Sequence, residues 1–416
     1  MSMPVQQCPA METADVNTQH LRCAGKGLLS LALMDARNRT LRWLAMFEDV
    51  PPDRLADVPG TGVQPPVWRL GHVAWFQERW IARNVHRQRG AQADPTSPRL
   101  ASILPSSDEW YDPAQRPSGE ATPPGLPDFA STRQYLADTI ELTLDLLDAA
   151  EEDDAGLYFF RLALFFEDLQ SEALAETAQA LQLPLAGAQG LVGEIPSLPP
   201  RPALLFPATR WQLGSPPGGF VFDNEKWAHE VAVPEFEIDA QPVTWAQFGE
   251  FVEDGGYDDE SWWSEAGRDW LRREGRRVPA YVDQLRRGVL QERFGRLARV
   301  PTAQPVLHVS WHEAQAWCRW AGRRLPAEVE WEVAAHATSR GYAWGSVWEW
   351  TATSFRPYPG YRTDPWCAYS EPHFGTHKVL RGASFATPRR LHHPKFRQFA
   401  RPEHDGLFGG FRSCAA

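Results

Sequence analysis

The chain is poor in the features that mark secreted, membrane and nucleic-acid-binding proteins. It has only five cysteines in 416 residues, with no Cys-x-x-Cys pair, which is a poor framework for disulfides or zinc. Its net charge of −11 argues against nucleic acid or an anionic membrane as a partner. No apolar run is long enough to cross a bilayer, and Met1–Thr18 lacks the basic-then-apolar order of a signal peptide. These absences predict a cytoplasmic protein with reduced thiols.

Tryptophan is abundant and histidine is scarce in the first half of the chain. Of 19 tryptophans, 14 follow residue 200, and only His20, His72 and His86 of the 12 histidines precede residue 229. The chain also has 36 prolines, and they are dense between residues 183 and 208. This asymmetry predicts two domains of different character joined by a proline-rich linker.

The first half has the apolar spacing of helices. The predicted helices span 28–48, 67–88, 131–150 and 156–182. Residues 89–129 carry eight prolines without periodicity, which predicts a long loop. Four amphipathic helices favour a bundle, in which sites are built from side chains that point inward. The predicted organisation is an extension (1–27), a helical bundle (28–182), a linker (183–208) and a second domain (209–416).

The second half has short alternating runs, such as 229–238, and short helical stretches at Trp245–Val252 and Trp311–Trp320. Ser310 and Glu313 form the pattern of a capping box before the second of these helices. Tryptophans at many turns indicate an irregular α+β domain held together by aromatic packing.

This second half resembles the formylglycine-generating-enzyme/sulfatase-modifying fold. The resemblance is carried, in order, by HEVAVPEFEIDAQPVTWAQFGEFVEDGGY (229–257), PVLHVSWHEAQAWCRWAGRRLPAEVEWE (305–332), GSVWEWT (345–351), VLRGASFAT (379–387) and FGGFR (408–412). That fold is similar to C-type lectins and has little regular secondary structure. Trp348-Glu349-Trp350 and Arg381-Gly382 are expected to be scaffold, with buried indoles and paired charges.

Ahead of it, the helical segment with GHVAWFQERW (71–80) is similar to the DinB-like domain of the ergothioneine-type sulfoxide synthases. The stretch SFRPYPGYRTDPWCAYSEPHFGTHKVLRGASFAT (354–387), with YFFRLALF (158–165), looks closest to the selenoneine-synthase branch. The fold class expected is therefore multidomain, α and α+β: a DinB-like four-helix bundle followed by a C-type-lectin-like domain. The resemblance implies non-haem Fe(II), O₂, hercynine (trimethylhistidine) and a selenosugar or thiol donor.

The resemblance also implies three iron ligands, one histidine on the second helix and two from an HxxxHxE motif on the fourth. His72 matches the first ligand. The segment Phe166–Glu172 matches the motif through its two glutamates, but Phe166 and Gln170 stand where the two histidines are expected. Phenylalanine cannot ligate a metal, and an amide oxygen is a weak ligand for Fe(II).

Two carboxylates on the same helix could be considered as replacements. At about 100° per residue, Asp168 and Glu172 point about 200° and 240° away from Phe166, so they are not expected to share an ion with His72. Glu172 is expected to cap a helix or to hydrogen-bond near the site rather than to bind iron. His72 itself remains open to two interpretations, a metal ligand or a hydrogen-bonded core residue.

The substrate side of the resemblance lies near the C-terminus. In the family, an RN-aromatic-x-x-P segment holds hercynine, and here it corresponds to Gln398, Phe399 and Arg401, with Ala400 at a position that is polar or aromatic in relatives. An ordinary surface loop is the alternative. Tyr358 and Tyr361 are candidates for the proton-donating tyrosine, or else they are turn aromatics beside prolines.

Two functional hypotheses follow from this resemblance. The leading one is an enzyme that uses Fe(II) and O₂ to form a C–Se or C–S bond on hercynine. The alternative is a metal-free family member that has lost catalysis and acts as a small-molecule-binding or regulatory protein. Formylglycine generation is set aside, because it needs a pair of cysteines near the C-terminus and only Cys414 lies there.

Overall fold

Helices make up the N-terminal part of the protein, and short strands and helices share the C-terminal part. The computed structural model describes residues 20–55, 64–115, 123, 125–185, 190–337 and 341–416. Most of the predicted N-terminal extension, including the segment tested for a signal peptide, lies outside the described residues. No helix in these ranges is both long and apolar enough to span a membrane.

Among the helices whose bounds the structure describes, four long ones form the bundle and two one-turn helices accompany them. In chain order the helices are α1 (Lys26–Glu48), α2 (Pro52–Leu55), α3 (Pro66–Gln77), α4 (Ser107–Tyr111), α5 (Phe129–Asp148) and α6 (Asp154–Ala180). Asp128 and Asp153 cap α5 and α6, because their carboxylates accept hydrogen bonds from the backbone N–H groups of Ser131 and Gly156. The predicted four-helix bundle is confirmed.

The predicted helix over 67–88 and the predicted loop over 89–129 both differ in detail from the structure. The α-helix ends at Gln77 and continues as a π-helical turn, Glu78–Ala82. The segment after it is held against the bundle, since Arg83 pairs with Asp108 at 2.6 Å and Glu78 accepts hydrogen bonds from Ser102 and Tyr135. These polar contacts have no periodic pattern, so the sequence did not reveal them.

The C-terminal part contains helices α7 (Trp245–Glu253), α8 (Glu265–Glu274), α9 (Trp311–Trp320) and α10 (Glu328–Ala335). Its strands are β1 (Leu204–Phe206), β2 (Thr209–Leu213), β3 (His229–Val233), β4 (Phe236–Ile238), β5 (Val282–Gln284), β6 (Val289–Arg293), β7 (Arg296–Val300), β8 (Arg323–Arg324), β9 (Trp348–Ser354), β10 (Lys378–Gly382), β11 (Gln398–Ala400), β12 (Gly409–Phe411) and β13 (Cys414–Ala415).

The described strands pair into four small sheets. Two have four strands, in the orders β1-β4-β13-β8 and β11-β10-β9-β12, and the others are β2-β3 and β5-β6-β7. In the second sheet β12 runs parallel to β9, whereas β10 is antiparallel to both of its neighbours, β9 and β11. The capping box predicted at Ser310 and Glu313 is present at the start of α9.

Buried tryptophans and buried ion pairs hold this domain together. Trp348 and Trp350 are at most 1% exposed. Glu349 between them pairs with Arg412, and both side chains are fully buried. Arg381 pairs with Glu332 in the same way, so the expectation of a scaffold role for these motifs is confirmed.

Helix α6 connects the bundle to the C-terminal domain through polar side chains. The guanidinium of Arg390 donates two hydrogen bonds of 2.8 Å to the carboxylate of Asp168. Glu172 accepts hydrogen bonds from Trp348 and Thr387, and Tyr158 donates to Asp364. These contacts set which face of α6 points into the bundle.

The buried Glu349–Arg412 pair provides a test of this scaffold. We expect Glu349→Gln to lower the free energy of unfolding by about 3–5 kcal/mol, because the buried guanidinium loses its counter-charge. The matched control is Glu230→Gln, which removes an exposed pair with Arg210 and should change stability by less than about 1 kcal/mol. Urea denaturation of the full chain measures both variants. Equal losses of unfolding free energy would contradict the assignment of the Glu349–Arg412 pair to the scaffold.

Candidate functional site

His72 on α3 lies in an aromatic cage. Its ring stacks between Trp68 (4.7 Å between centroids) and Trp75 (5.2 Å), and Phe166 meets it edge-on at 5.5 Å. Nδ1 lies 2.9 Å from the carbonyl oxygen of Tyr111, and because a carbonyl only accepts, Nδ1 carries the proton. Burial lowers the pKa of His72 to about 3, so the ring is neutral.

Phe166 on α6 fills the space next to His72. It stacks on Phe76 with centroids 3.6 Å apart, and Trp366 from the C-terminal domain meets both rings edge-on at 5.3 and 5.0 Å. Phe166 is 2% exposed. The side chain at position 166 therefore contributes to hydrophobic packing.

Gln170 lies one turn further along α6. Its amide oxygen accepts a hydrogen bond from the guanidinium of Arg69 at 3.3 Å. Arg69 is on α3, three residues before His72, and its positive charge is one of the factors that lower the pKa of His72, after burial. A cation therefore occupies the neighbourhood in which a metal would have to bind.

The residues around His72 do not fit the iron that the resemblance implies. The three positions supply one imidazole, one hydrocarbon ring and one amide whose oxygen is already hydrogen-bonded. Fe(II) in this class of site needs three nitrogen or oxygen ligands on one face of its coordination sphere. Within the described part of the chain, no three His, Cys, Asp or Glu side chains converge to hold a metal ion.

Asp168 and Glu172 are committed elsewhere, as their helical angles predicted. Asp168 is buried against Arg390, and Glu172 is surrounded by Trp348, Ser384 and Thr387. Burial raises the pKa of Glu172, and these three hydrogen bonds oppose the shift. Both carboxylates thus serve the contact between the bundle and the C-terminal domain.

A cleft of about 290 Å³ opens beside this cluster, between α6 and the C-terminal domain. Its walls combine acidic, amide and aromatic side chains with a few small apolar ones. They are Leu169, Gln170, Glu172, Ala173, Glu176, Trp366, Ala368, Tyr369, His373, Gln398 and Phe399. Gln170 and Trp366 belong both to the cleft and to the surroundings of His72.

The C-terminal segment contributes two of its three predicted residues to this cleft. Gln398 and Phe399 of β11 line it, and Phe399 stacks on Phe355 at 4.2 Å, which fixes its ring. Arg401 does not line the cleft. Its side chain is 68% exposed, and the carboxylate of Glu403 is 3.9 Å away.

Tyr358 and Tyr361 also lie outside the lining of the cleft. The hydroxyl of Tyr358 donates to Glu328 at 3.3 Å, with Arg397 over its ring at 4.0 Å. Tyr361 donates to Asp223 at 2.8 Å. Both hydroxyls are thus directed at carboxylates within the C-terminal domain.

Sequence reasoning missed several residues that build this site. Trp366, Tyr369 and His373 come from the irregular segment between β9 and β10, in which no periodic pattern marks a common face. Glu176 could have been found, since it lies four residues after Glu172 and therefore on the same side of α6. Burial and the nearby charge of Glu172 raise the pKa of Glu176 to about 8, and Arg69 opposes the shift.

Comparison with protein families agrees with this architecture. The DinB superfamily model matches residues 33–178, and the model of the sulfatase-modifying factor enzyme 1-like domain matches residues 203–346 and 343–416. The predicted fold class, a DinB-like bundle followed by a domain of the formylglycine-generating type, is confirmed.

Full-length relatives carry both domains. Hercynine oxygenase from Mycolicibacterium thermoresistibile is 31% identical over 440 residues, covering 92% of this chain and 94% of that protein. Hercynine oxygenase from Mycobacterium tuberculosis is 32% identical over 434 residues, covering 92% and 97%. A formylglycine-generating enzyme from Streptomyces coelicolor is 32% identical over 187 residues, but this match covers only 35% of this chain and 54% of that protein.

Asp223, the partner of Tyr361, gives a pH-dependent test of the site's surroundings. Burial is the main reason that the pKa of Asp223 is raised to about 6, although Ser370 and Tyr361 donate to its carboxylate. Because the folded state holds this proton more tightly than the unfolded state, the resulting stability is complete below about pH 4. It is lost as the pH rises through about 6.

We therefore expect Asp223→Asn to flatten the fall in unfolding free energy between about pH 4 and 6.5, by on the order of 2–3 kcal/mol. Asp145→Asn, at an exposed position of α5, is the control and should keep the profile of the unmodified chain. Urea denaturation across this pH range measures the effect. A pH slope unchanged by Asp223→Asn would contradict the assignment.

Proposed function

The chain belongs to the hercynine oxygenase family, and from that premise we propose that it binds hercynine, or a closely related betaine, without an iron centre. The proposed site is the cleft between α6 and the C-terminal domain. Phe399 offers an aromatic face to a quaternary ammonium group, and the amides of Gln398 and Gln170 offer donors and acceptors to the rest of the ligand.

One observation carries this proposal. Phe166 is stacked on Phe76 in the position where a metal ligand is expected, while the cleft a turn away keeps its polar and aromatic lining. A small-molecule site is usually a concave pocket with apolar walls and a few placed polar groups. The geometry thus supports ligand binding more strongly than metal-dependent chemistry.

Iron-dependent formation of a C–Se or C–S bond on hercynine is the second candidate. It is favoured by the full-length similarity to hercynine oxygenases and by His72, whose protonated Nδ1 leaves Nε2 without a proton. It would need O₂, a selenosugar or thiol donor, and Fe(II) held by more than the side chains at positions 72, 166 and 170. Tyr358, Tyr361 and Arg401 stay predictions within this candidate.

Metal content separates the two candidates. We expect the protein loaded anaerobically with Fe(II), with or without hercynine, to retain far less than one iron per chain after desalting, because only His72 is a strong ligand. The double variant Phe166→His/Gln170→His should gain iron, since histidines at i and i+4 face one ion together with His72. The single variant Phe166→His, with two histidines, is the control.

Elemental analysis measures the iron in each sample. One iron per chain in the unmodified protein would overturn the metal-free proposal. Failure of the double variant to gain iron, while it remains folded by circular dichroism, would contradict the assignment of positions 166 and 170 as the two missing ligands.

Hercynine binding tests the proposed function directly. We expect isothermal titration of the metal-free chain with hercynine to give saturable one-to-one binding, and Phe399→Ala to weaken it by roughly tenfold through loss of the aromatic contact. Leu205→Ala, at an exposed position of β1, is the control and should bind as tightly as the unmodified chain. The proposed function would be rejected if hercynine gave no heat of binding and no other betaine bound in the same titration.

A further inference from the structure

Glu176 is a carboxylate of the cleft whose side chain has no hydrogen-bonding partner in the part of the chain that the structure describes. It lines the cleft from the C-terminal part of α6. The carboxylate of Glu172, one turn earlier, is satisfied by Trp348, Ser384 and Thr387. By contrast, no described group donates a hydrogen bond to the carboxylate of Glu176 or forms an ion pair with it, and the charges that act on it are those of Glu172 and Arg69.

The cationic side chain that acts on Glu176 is already engaged. Arg69 partly offsets the burial of Glu176, but its guanidinium donates to Gln170 and it does not line the cleft. Two carboxylates four residues apart on one helix repel each other. Burial first, and then the charge of Glu172, raises the pKa of Glu176, and the charge of Arg69 offsets this only in part.

The walls opposite Glu176 are suited to an organic cation. Trp366 stacks on Tyr369 at 4.6 Å, and Tyr369 meets Phe399 at 5.6 Å, so three linked aromatic rings line the cleft. Aromatic faces attract ammonium groups, most strongly where water is excluded. An anionic ligand would face two carboxylates, and a metal ion would lack a converging set of three ligands.

We propose that Glu176, deprotonated when the ligand is bound, supplies the negative charge that selects a ligand with a fixed positive charge in this cleft, with Trp366, Tyr369 and Phe399 packed around the charged group. This inference rests on the proposed function, because it assigns the recognition of the ammonium group of a hercynine-like ligand. It adds that Glu176 gives no such preference to a ligand of the same shape that lacks the ammonium group.

Titration calorimetry with two probes tests the proposal. The probes are hercynine and imidazole-4-propionate, which keeps the imidazole and the carboxylate but lacks the ammonium group. We expect the unmodified chain to bind hercynine at least roughly tenfold more tightly. Glu176→Gln should reduce that preference to within about twofold by weakening hercynine binding alone, whereas Glu176→Asp should keep part of it.

Glu141→Gln, at an exposed position of α5, is the matched control and should keep the full preference. Binding of imidazole-4-propionate by Glu176→Gln shows that the cleft of the variant is intact. If that variant does not fold, the preference of the unmodified chain for hercynine over imidazole-4-propionate still decides, and equal affinities would overturn the proposal.

The two proposals fail in different ways. If hercynine binds the unmodified chain and Glu176→Gln equally well, the role of Glu176 is rejected while the proposed function stands. If the unmodified chain binds neither probe, the proposed function is rejected, and the role of Glu176 is rejected with it.

Discussion

Two buried carboxylates fix the rotation of helix α6, and the rest of the site depends on that rotation. Asp168 is held by Arg390 and Glu172 by Trp348, Ser384 and Thr387, all from the C-terminal domain. Rotating the helix would remove the hydrogen-bond partners of these two carboxylates while they remain buried. An unpaired buried charge costs several kcal/mol. The side chains on the remaining faces of α6 therefore have fixed surroundings.

That rotation places different faces of α6 in two environments. Phe166 points into the aromatic cluster around His72, where Phe76 and Trp366 close around it. Glu176, almost three turns later, faces the cleft instead. Phe166 and the residues of α6 that line the cleft thus lie in neighbouring stretches of one helix, and Trp366 contacts Phe166 and also lines the cleft.

The sequence predicted whatever depends on helical periodicity and little of what depends on the loops. The bundle helices and the direction of Asp168 and Glu172 away from Phe166 follow from about 100° per residue, and the structure has them. Tyr111, whose carbonyl sets the protonation of His72, ends the one-turn helix α4, and Trp366 lies in the irregular segment between β9 and β10. Their contacts arise from tertiary packing, so no local sequence pattern predicts them.

Phe166 and Gln170, which stand where the resemblance implies two histidines, each have a local partner. Two histidines without a metal would leave polar rings buried in an apolar cluster, which is unfavourable unless each finds a partner. Phe166 avoids that cost by stacking on Phe76, and Gln170 meets it by accepting from Arg69. The fold thus needs no metal ion for cohesion here. Glu176 and Phe399 take no part in these contacts, so the proposed betaine site does not require histidines at positions 166 and 170.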